Sequence, residues 1–243
     1  MNVAVEAKDV VKDFGQVRAL DGLCFTIKEG EIFGLIGLNG AGKTTALRIT
    51  STLLLPTSGT VTVFGHDVVK EASEVRNLIS YLPEEAGAYK NLSGFEYLKF
   101  MANFITKDKA VVEDLVNIAA EISGLGDRLK DKVKGYSKGM KRRLLVARAL
   151  MTKPKLAILD EPNSGLDVLH SVHVRTLIKR YTKEHNVTML LSSHNMLEVE
   201  YLCNRVAIVN KGKVVIEGSP DELKAKHGAV NLEEVFGEVV GFA

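Results

Sequence analysis

The sequence predicts an α/β protein in which a mostly parallel, helix-covered sheet is interrupted by an inserted helical segment. Three observations predict it. Short apolar runs alternate with helical periodicities beyond residue 155, the pattern of strands joined by crossover helices. Strand-like windows vanish between about residue 88 and residue 150. A loop of three glycines in "GLIGLNGAGKTTALRIT", residues 34–50, joins an apolar run to a helix-like stretch.

Taken in order, residues 3–36 read as β. "VAVEA", "LCFTI" and "EIFGLIG" are separated by the turn signals "DFGQ" and "KEGE". "KTTALRITSTLLL" has helical spacing and is predicted to run up to Pro56. "GTVTVFG" at 59–65 and "LISYLP" at 78–83 are further strands. Leu92, Phe95, Leu98, Met101 and Ala102 then fit one helical face. Val111, Val112, Leu115, Ile118, Ala119 and Ile122 fit another. After Pro154 the chain alternates again: "KLAILD", "VLHSVHVRTLIKRY", "VTMLLSS", "MLEVEYLC" and "RVAIVN". The tail has Leu232, Val235, Phe236 and Val239 at helical spacing. The expected division is a nucleotide-binding core of residues 1–86 and 152–243, with residues 87–151 as the helical insert. No internal repeat or low-complexity tract stands out.

The chain has 243 residues, 46% hydrophobic and 26% charged, with a net charge of +2. Such a balance supplies a core but no global basic field, so no nucleic-acid partner is expected. "KGMKRR" at 138–143 reads as a charged helix face. Cys24 and Cys203 have neither disulfide-scaffold nor zinc-site spacing, which favours a reducing, cytosolic compartment. The N-terminus carries charges every few residues without a signal-peptide apolar core, and no apolar run approaches the ~18 residues that span a bilayer. Work at a membrane therefore requires a partner embedded in it.

Gly37, Gly42, Lys43 and Thr44 satisfy G-x-x-x-x-G-K-[ST] between a predicted strand and a predicted helix. Glycines let successive backbone N–H groups curl around phosphate oxygens, and the helix points its positive end at the same place. Lys43 can reach the β- and γ-phosphates, and the Thr44 hydroxyl can ligate Mg²⁺. "KLAILDEP" at 155–162 is an apolar strand ending in two carboxylates. Asp160 is the natural Mg²⁺-directed acid. Glu161 can polarise a water in line with the γ-phosphate as general base.

The order and spacing of six motifs resemble the ATP-binding cassette subunits of ABC transporters over almost the whole chain. "GLNGAGKTT" resembles the Walker A motif, "LAILDEP" Walker B with its catalytic glutamate, and "YSKGM" (136–140) the signature sequence. "SGLD" (164–167) resembles the D-loop, "LSSHN" the switch-histidine segment with His194, and "YLPEE" (81–85) the Q-loop. The resemblance implies a P-loop NTPase (RecA-like) core with an antiparallel β subdomain and the helical insert. It implies ATP and Mg²⁺ as ligands. Gly37, Asn39, Gly40, Ala41, Gly42, Lys43, Thr44 and Thr45 would hold the phosphates, and Thr44, Asp160 and Glu84 the metal. Glu161, His194 and Lys43 would be catalytic. Two cassettes would stack head to tail, most simply as a homodimer, each ATP being completed by the partner's Ser137, Gly139 and Asp167. Ser137 and Asp167 also read as plain helix N-caps.

The chain departs from the family pattern in places. Lys138 and Met140 replace a glycine and a glutamine of the signature, and Glu84–Glu85 stands where a Q-loop glutamine is usual. Both variants resemble the subgroup that serves ABC-2-type membrane partners, often exporters. Either glutamate can ligate Mg²⁺, Glu84 being favoured by its place after Pro83. Phe14 sits where an adenine-stacking aromatic is usual, or else packs in the core beside its turn; loose ATP-versus-GTP selectivity would follow from stacking alone. His66, His170, His173, His185 and His227 read as surface or local structure. The chain is expected to carry no long C-terminal regulatory domain.

The implied role is the ATP-hydrolysing subunit of a transporter, cytoplasmic and held at the inner face of the membrane by its permease. The 85–92 loop, within a docking region of roughly 84–105, is expected to touch that partner. Of Tyr89, Phe95, Tyr97, Phe100, Met101 and Phe104, most are expected in the subdomain core. The alternative is a soluble ABC-type ATPase of cluster assembly or another non-transport process. A nucleotide-gated module without hydrolysis would lack Glu161 or His194, and a P-loop kinase would lack "YSKGM".

Overall fold

The structure, a computed structural model, describes residues 2–241. The chain opens with β1 (Val3–Phe14), β2 (Val17–Lys28) and β3 (Ile32–Ile36), then passes through the glycine loop into α1 (Lys43–Thr50). Next come β4 (Ser58–Val63), β5 (His66–Asp67), α2 (Ala72–Leu78) and β6 (Ile79–Leu82). Three helices follow: α3 (Gly94–Ile105), α4 (Lys109–Ser123) and α5 (Lys138–Leu150). The last part alternates β7 (Leu156–Asp160), α6 (Val168–His185), β8 (Thr188–Ser193), α7 (Met196–Leu202) and β9 (Arg205–Asn210). It ends with β10 (Lys213–Gly218), α8 (Pro220–His227) and α9 (Leu232–Val240).

Two sheets form. β2-β1-β4-β5 is antiparallel throughout. The second runs β10-β9-β3-β8-β7-β6, parallel except for the antiparallel edge strand β10. Its central strands are apolar on both faces because both faces are covered. Ala157, Leu159, Met189 and Leu191 face the core shared with α3–α9. Leu156, Ile158, Leu190, Phe33 and Leu35 face the opposite core, shared with α1 and the antiparallel sheet. The period of two along a strand divides the residues between the two cores.

The helix starts follow capping chemistry. Ser93 and Glu96 form a capping box at α3, and Asp108 accepts from the Ala110 and Val111 amides at α4. Gly124, at φ 56°, closes α4 in the left-handed conformation.

The structure differs from the sequence reading in several places. α1 stops at Thr50 rather than running to Pro56. Thr50 Oγ1 turns back to the Ala46 carbonyl, Thr52 takes φ 63°, and the Leu53 amide reaches back to Arg48, so polar β-branched residues close the helix early. β1 and β2 are longer than their apolar runs because their distal halves form a half-exposed hairpin. β5, α2, β10 and α8 have short or exposed patterns that gave no periodicity. Phe95 and Val111 face outward, each 43% exposed, despite fitting the apolar spacing. Among the six aromatic and methionine residues of the 84–105 region, Tyr97 is buried and Met101 half-buried; the rest are exposed. Tyr89, Phe100 and Phe104 instead pack edge-on in a surface row, with ring centroids 5.3 and 5.0 Å apart.

Gly94 carries a close approach that has a measurable consequence. A Cβ there would lie 2.3 Å from Tyr136 Oη and 2.9 Å from Leu129 Cδ2. Gly94→Ala should therefore destabilise the protein by about 1–3 kcal/mol through overpacking. Gly87→Ala, which meets open space, should shift stability by less than about 1 kcal/mol. Urea denaturation of the two variants measures the contrast.

Candidate functional site

The ends of β3, β7 and β8 converge on the start of α1, the edge at which parallel sheets place ligands. The loop between β3 and α1 needs its glycines for space. A Cβ on Gly37 would lie 2.3 Å from the Val209 carbonyl, and Gly42 caps α1 at φ 109° with Ala19 O and Leu20 Cδ2 each 2.7 Å from a Cβ there. Lys43, only 6% exposed, donates to the carbonyls of Gly37 (2.7 Å) and Leu38 (3.2 Å). Its Nζ is 3.7 Å from Glu161 Oε1. Burial pulls the amine below the usual lysine range, and the nearby Glu161 and Asp160 charges work against that.

Asp160 and Glu161 sit at the end of β7, 1% and 6% exposed. The Thr44 hydroxyl donates to Asp160 Oδ1 at 3.2 Å, Ser192 Oγ donates to the same oxygen at 2.6 Å, and Tyr81 donates to Oδ2 at 3.4 Å. Ser192 Oγ in turn accepts from the Glu161 amide at 2.9 Å. Glu161 itself has φ 46°, a conformation that costs a non-glycine residue about 1–3 kcal/mol and clusters at functional sites. His194 Nδ1 lies 2.9 Å from Glu161 Oε2, with its side chain half exposed.

Beneath them lies Arg142 of α5, which the sequence reading passed over as part of a charged helix face. Its guanidinium is 7% exposed and donates to five carbonyls: Pro162 (2.7 Å), Asp160 (2.8 Å), Glu161 (2.9 Å), Glu84 (3.1 Å) and Pro83 (3.3 Å). Burial pushes its pKa down to about 10, still well protonated at neutral pH. Ser192, Tyr81 and Arg142 were all missed. Arginine in an otherwise apolar-faced helix was the one signal that could have marked a buried donor.

A cavity of about 240 Å³ opens over the loop. Asn39, Gly40, Gly42, Lys43, Thr44, Thr45, Glu84 and Glu161 line it. Glu84 and Glu85 are both exposed, but Glu84 accepts from Ser164 Oγ at 3.0 Å and lines the cavity, whereas Glu85 lies outside the lining. Ala41 is buried beside the loop. Ser137, Gly139, Asp167 and Phe14 do not line this cavity. Ser137 caps α5, accepting from the Met140 amide at 3.1 Å, and Asp167 caps α6, accepting from His170 N at 2.9 Å. The His170 ring packs onto Gly139, 2.2 Å from where a Cβ would stand. Phe14 is 49% exposed at the hairpin end, with the Lys12 amine 5.1 Å over its ring, so it is not a core residue.

The arrangement sets hydroxyl, carboxylate and amine groups around a backbone anion cradle, the composition of a nucleoside-triphosphate site. The family model described as ABC transporter matches residues 20–164. An uncharacterized ABC transporter ATP-binding protein of Bacillus subtilis, YhcH, is 39% identical over 91% of this chain and 72% of its own length. The bacitracin transport ATP-binding protein BcrA of Bacillus licheniformis is 38% identical over 93% of this chain and 73% of its own length. A solved structure of an ATP-binding subunit of an ABC transporter superposes with a TM-score of 0.83 at 27% identity, covering 98% of this chain and 99% of the other.

Removing the buried guanidinium tests how far this site holds itself together. Arg142→Met keeps the aliphatic volume but strips five carbonyls of their donor. It should cost on the order of 2–4 kcal/mol, read as a lowered urea midpoint. Arg143→Met, which touches only the Ser123 and Gly124 carbonyls, should cost less.

Proposed function

The chain belongs to the ABC transporter family, as an ATP-binding and ATP-hydrolysing subunit, and from that premise we propose that two copies close head to tail around two ATP molecules to drive export through a separate ABC-2-type permease. The observation that carries the dimer is the one-sided lining of the phosphate-loop cavity. All its lining residues lie outside α3–α6, while Ser137 and Gly139 begin another helix elsewhere and Asp167 begins a third. A helix start capped by a serine and followed by a glycine suits an anion, and a second copy's γ-phosphate supplies one.

Within each copy, Lys43 exchanges the Gly37 and Leu38 carbonyls for β- and γ-phosphate oxygens. Thr44 Oγ1 and Asp160, already 3.2 Å apart, and Glu84 on the same cavity are hard oxygen donors that fit Mg²⁺, which keeps few protein ligands beside phosphate and water. When bound, that ion would neutralise charge on the phosphates. Glu161 takes the proton of the attacking water, and His194, 2.9 Å from its carboxylate, orients it. Loss of the bridging phosphate lets the copies part, so binding closes the clamp and hydrolysis resets it.

The exporter reading is supported by "YSKGM" and "YLPEE" and by the similarity to a bacitracin transport protein. No helix among the described residues is long and apolar enough to cross a membrane, so the permease would hold the chain at the cytoplasmic face. The exposed Tyr89–Phe100–Phe104 row beside the 85–92 loop is the surface we assign to the permease's cytoplasmic helices; such aromatic rows are enriched where proteins meet.

Glu161→Gln should keep ATP binding, lower hydrolysis by at least about 10²-fold, and elute as a dimer in gel filtration with ATP and Mg²⁺. A variant that stays monomeric at saturating ATP would contradict the shared-site arrangement. Co-purification with the permease should be lost in Tyr89→Ser/Phe104→Ser and retained in Lys43→Ala.

A further inference from the structure

Behind Glu161 and His194 lies a second cavity, of about 150 Å³, distinct from the one over the phosphate loop. Glu161 and His194 lie on its wall with Asn163, Arg175, Ser193 and Glu198, and residues 164–166, Ser171 and Asn195 complete the lining. Three of these side chains carry buried polar atoms without a protein partner: both amide atoms of Asn163, Nε of Arg175 and Oε1 of Glu198. Asn163 and Glu198 are each 7% exposed. Buried polar atoms without protein partners are met by ordered water. A polar space of this size holds several molecules at about 30 Å³ each.

Glu198 is the unusual member. It sits in the first turn of α7 with its amide bound to the Asn195 cap at 3.1 Å. Its Oε2 accepts a long hydrogen bond from Ser193 Oγ at 3.5 Å. Burial, reinforced by the Glu161 charge, pushes the carboxyl up to about 7, while Arg175, Ser193 and His194 pull it the other way. Cys203 faces it from the end of α7, its thiol raised by burial and by the Glu198 charge. Nothing in the hydrolytic roles already assigned uses this carboxyl.

We propose that this cavity is the proton outlet of the ATPase: a short water chain links Glu161 to Glu198, and Glu198 takes up the proton that hydrolysis releases. The inference rests on the reading of Glu161 as general base. The attacking water's oxygen bonds to the γ-phosphorus, and the bond from that phosphorus to the β–γ bridging oxygen breaks with its electron pair going to ADP. The water's proton goes to the Glu161 carboxylate, then over the cavity waters to the Glu198 carboxylate, and from there to solvent through the open side of the cavity. Glu161 is thereby returned to its basic form before the next turnover. Glu198 acts through Glu161 and never touches the nucleotide, so it is a positioning residue in proton transfer.

An acid with a pKa near 7 accepts only when ionised. Wild-type kcat should therefore rise with pH through a limb centred near 7, at saturating ATP and Mg²⁺. Glu198→Gln cannot accept and should lose that limb. Its kcat should fall by about tenfold or more, the low end of what proton transfer contributes, with KM for ATP unchanged. Glu198→Asp should restore the limb, displaced in pH. The proposal is overturned if Glu198→Gln keeps the wild-type kcat and limb, or if Gln and Asp lower kcat equally at every pH with the limb intact. Glu161→Gln, run alongside, separates the two readings. A Glu161→Gln enzyme as fast as wild type overturns the base assignment and this outlet with it. An inactive Glu161→Gln beside an unaffected Glu198→Gln overturns the outlet alone.

Discussion

A guanidinium taken out of water must find an acceptor for each of its five N–H groups, or fold stability suffers. Arg142 finds all five in backbone carbonyls from two loops, one at 83–84 and one at 160–162. The demand acts in both directions. The carbonyls satisfy the cation, and the cation dictates where those two loops turn. Glu161 is thereby held at φ 46°, a strained conformation that its own side chain does not favour. Ser192 completes the hold by accepting the Glu161 amide. The backbone of Glu161 is thus pinned at both its N–H and its C=O, and only its carboxylate is free to meet Lys43 on one side and His194 on the other.

Three buried charges meet there, one cationic and two anionic. None would be stable alone at such burial. Lys43 is depressed by desolvation and rescued by its two acidic neighbours. Asp160 takes hydroxyl donors from Thr44, Ser192 and Tyr81. Each group is thus part of the other two groups' solvation, and the geometry needed for phosphate chemistry exists as a folded network in the chain itself. The anion cradle adds no side-chain charge; its share comes from backbone N–H groups that glycines leave accessible.

The alternating core was readable because it obeys one rule repeatedly. β3, β7 and β8 are buried on both faces, and each appears in the sequence as an unbroken apolar run ending at chemistry-bearing residues. The phosphate-loop lysine and threonine and the two acids were legible for the same reason: strand ends and a glycine pattern fix them locally. What stayed illegible is long-range. Ser192 looks like any strand serine until β8 pairs beside β7. Arg142 looks like a solvated charge until α5 packs over loops some 20 and 58 residues away in sequence. Most of the aromatic residues and Met101 of the 84–105 region were expected in the core, yet apolar character alone does not say which of them this chain covers. α1 was overextended because Leu53–Leu55 continue the apolar pattern past a turn that threonines close.

The same helix that carries Arg142 begins at Ser137, five residues earlier, a separation of about 7.5 Å along the axis at 1.5 Å per residue. In the proposed dimer the first turn of α5 meets the partner's phosphate, while its second turn holds the carbonyls of Pro83, Glu84 and Glu161 of its own chain. A rigid helix cannot move one without the other. Seating an anion at Ser137 would therefore load the same guanidinium that shapes Glu161 and the Glu84 loop. The exposed aromatic row lies just beyond that loop, so docking of a membrane partner and closure on ATP would pull on one set of backbone hydrogen bonds. Such coupling would require no long pathway: a single buried side chain joins α5, the loop at 160–162 and the loop at 83–84. In the proposed dimer, the stiffness of that joint would set how faithfully closure at one nucleotide is felt at the other.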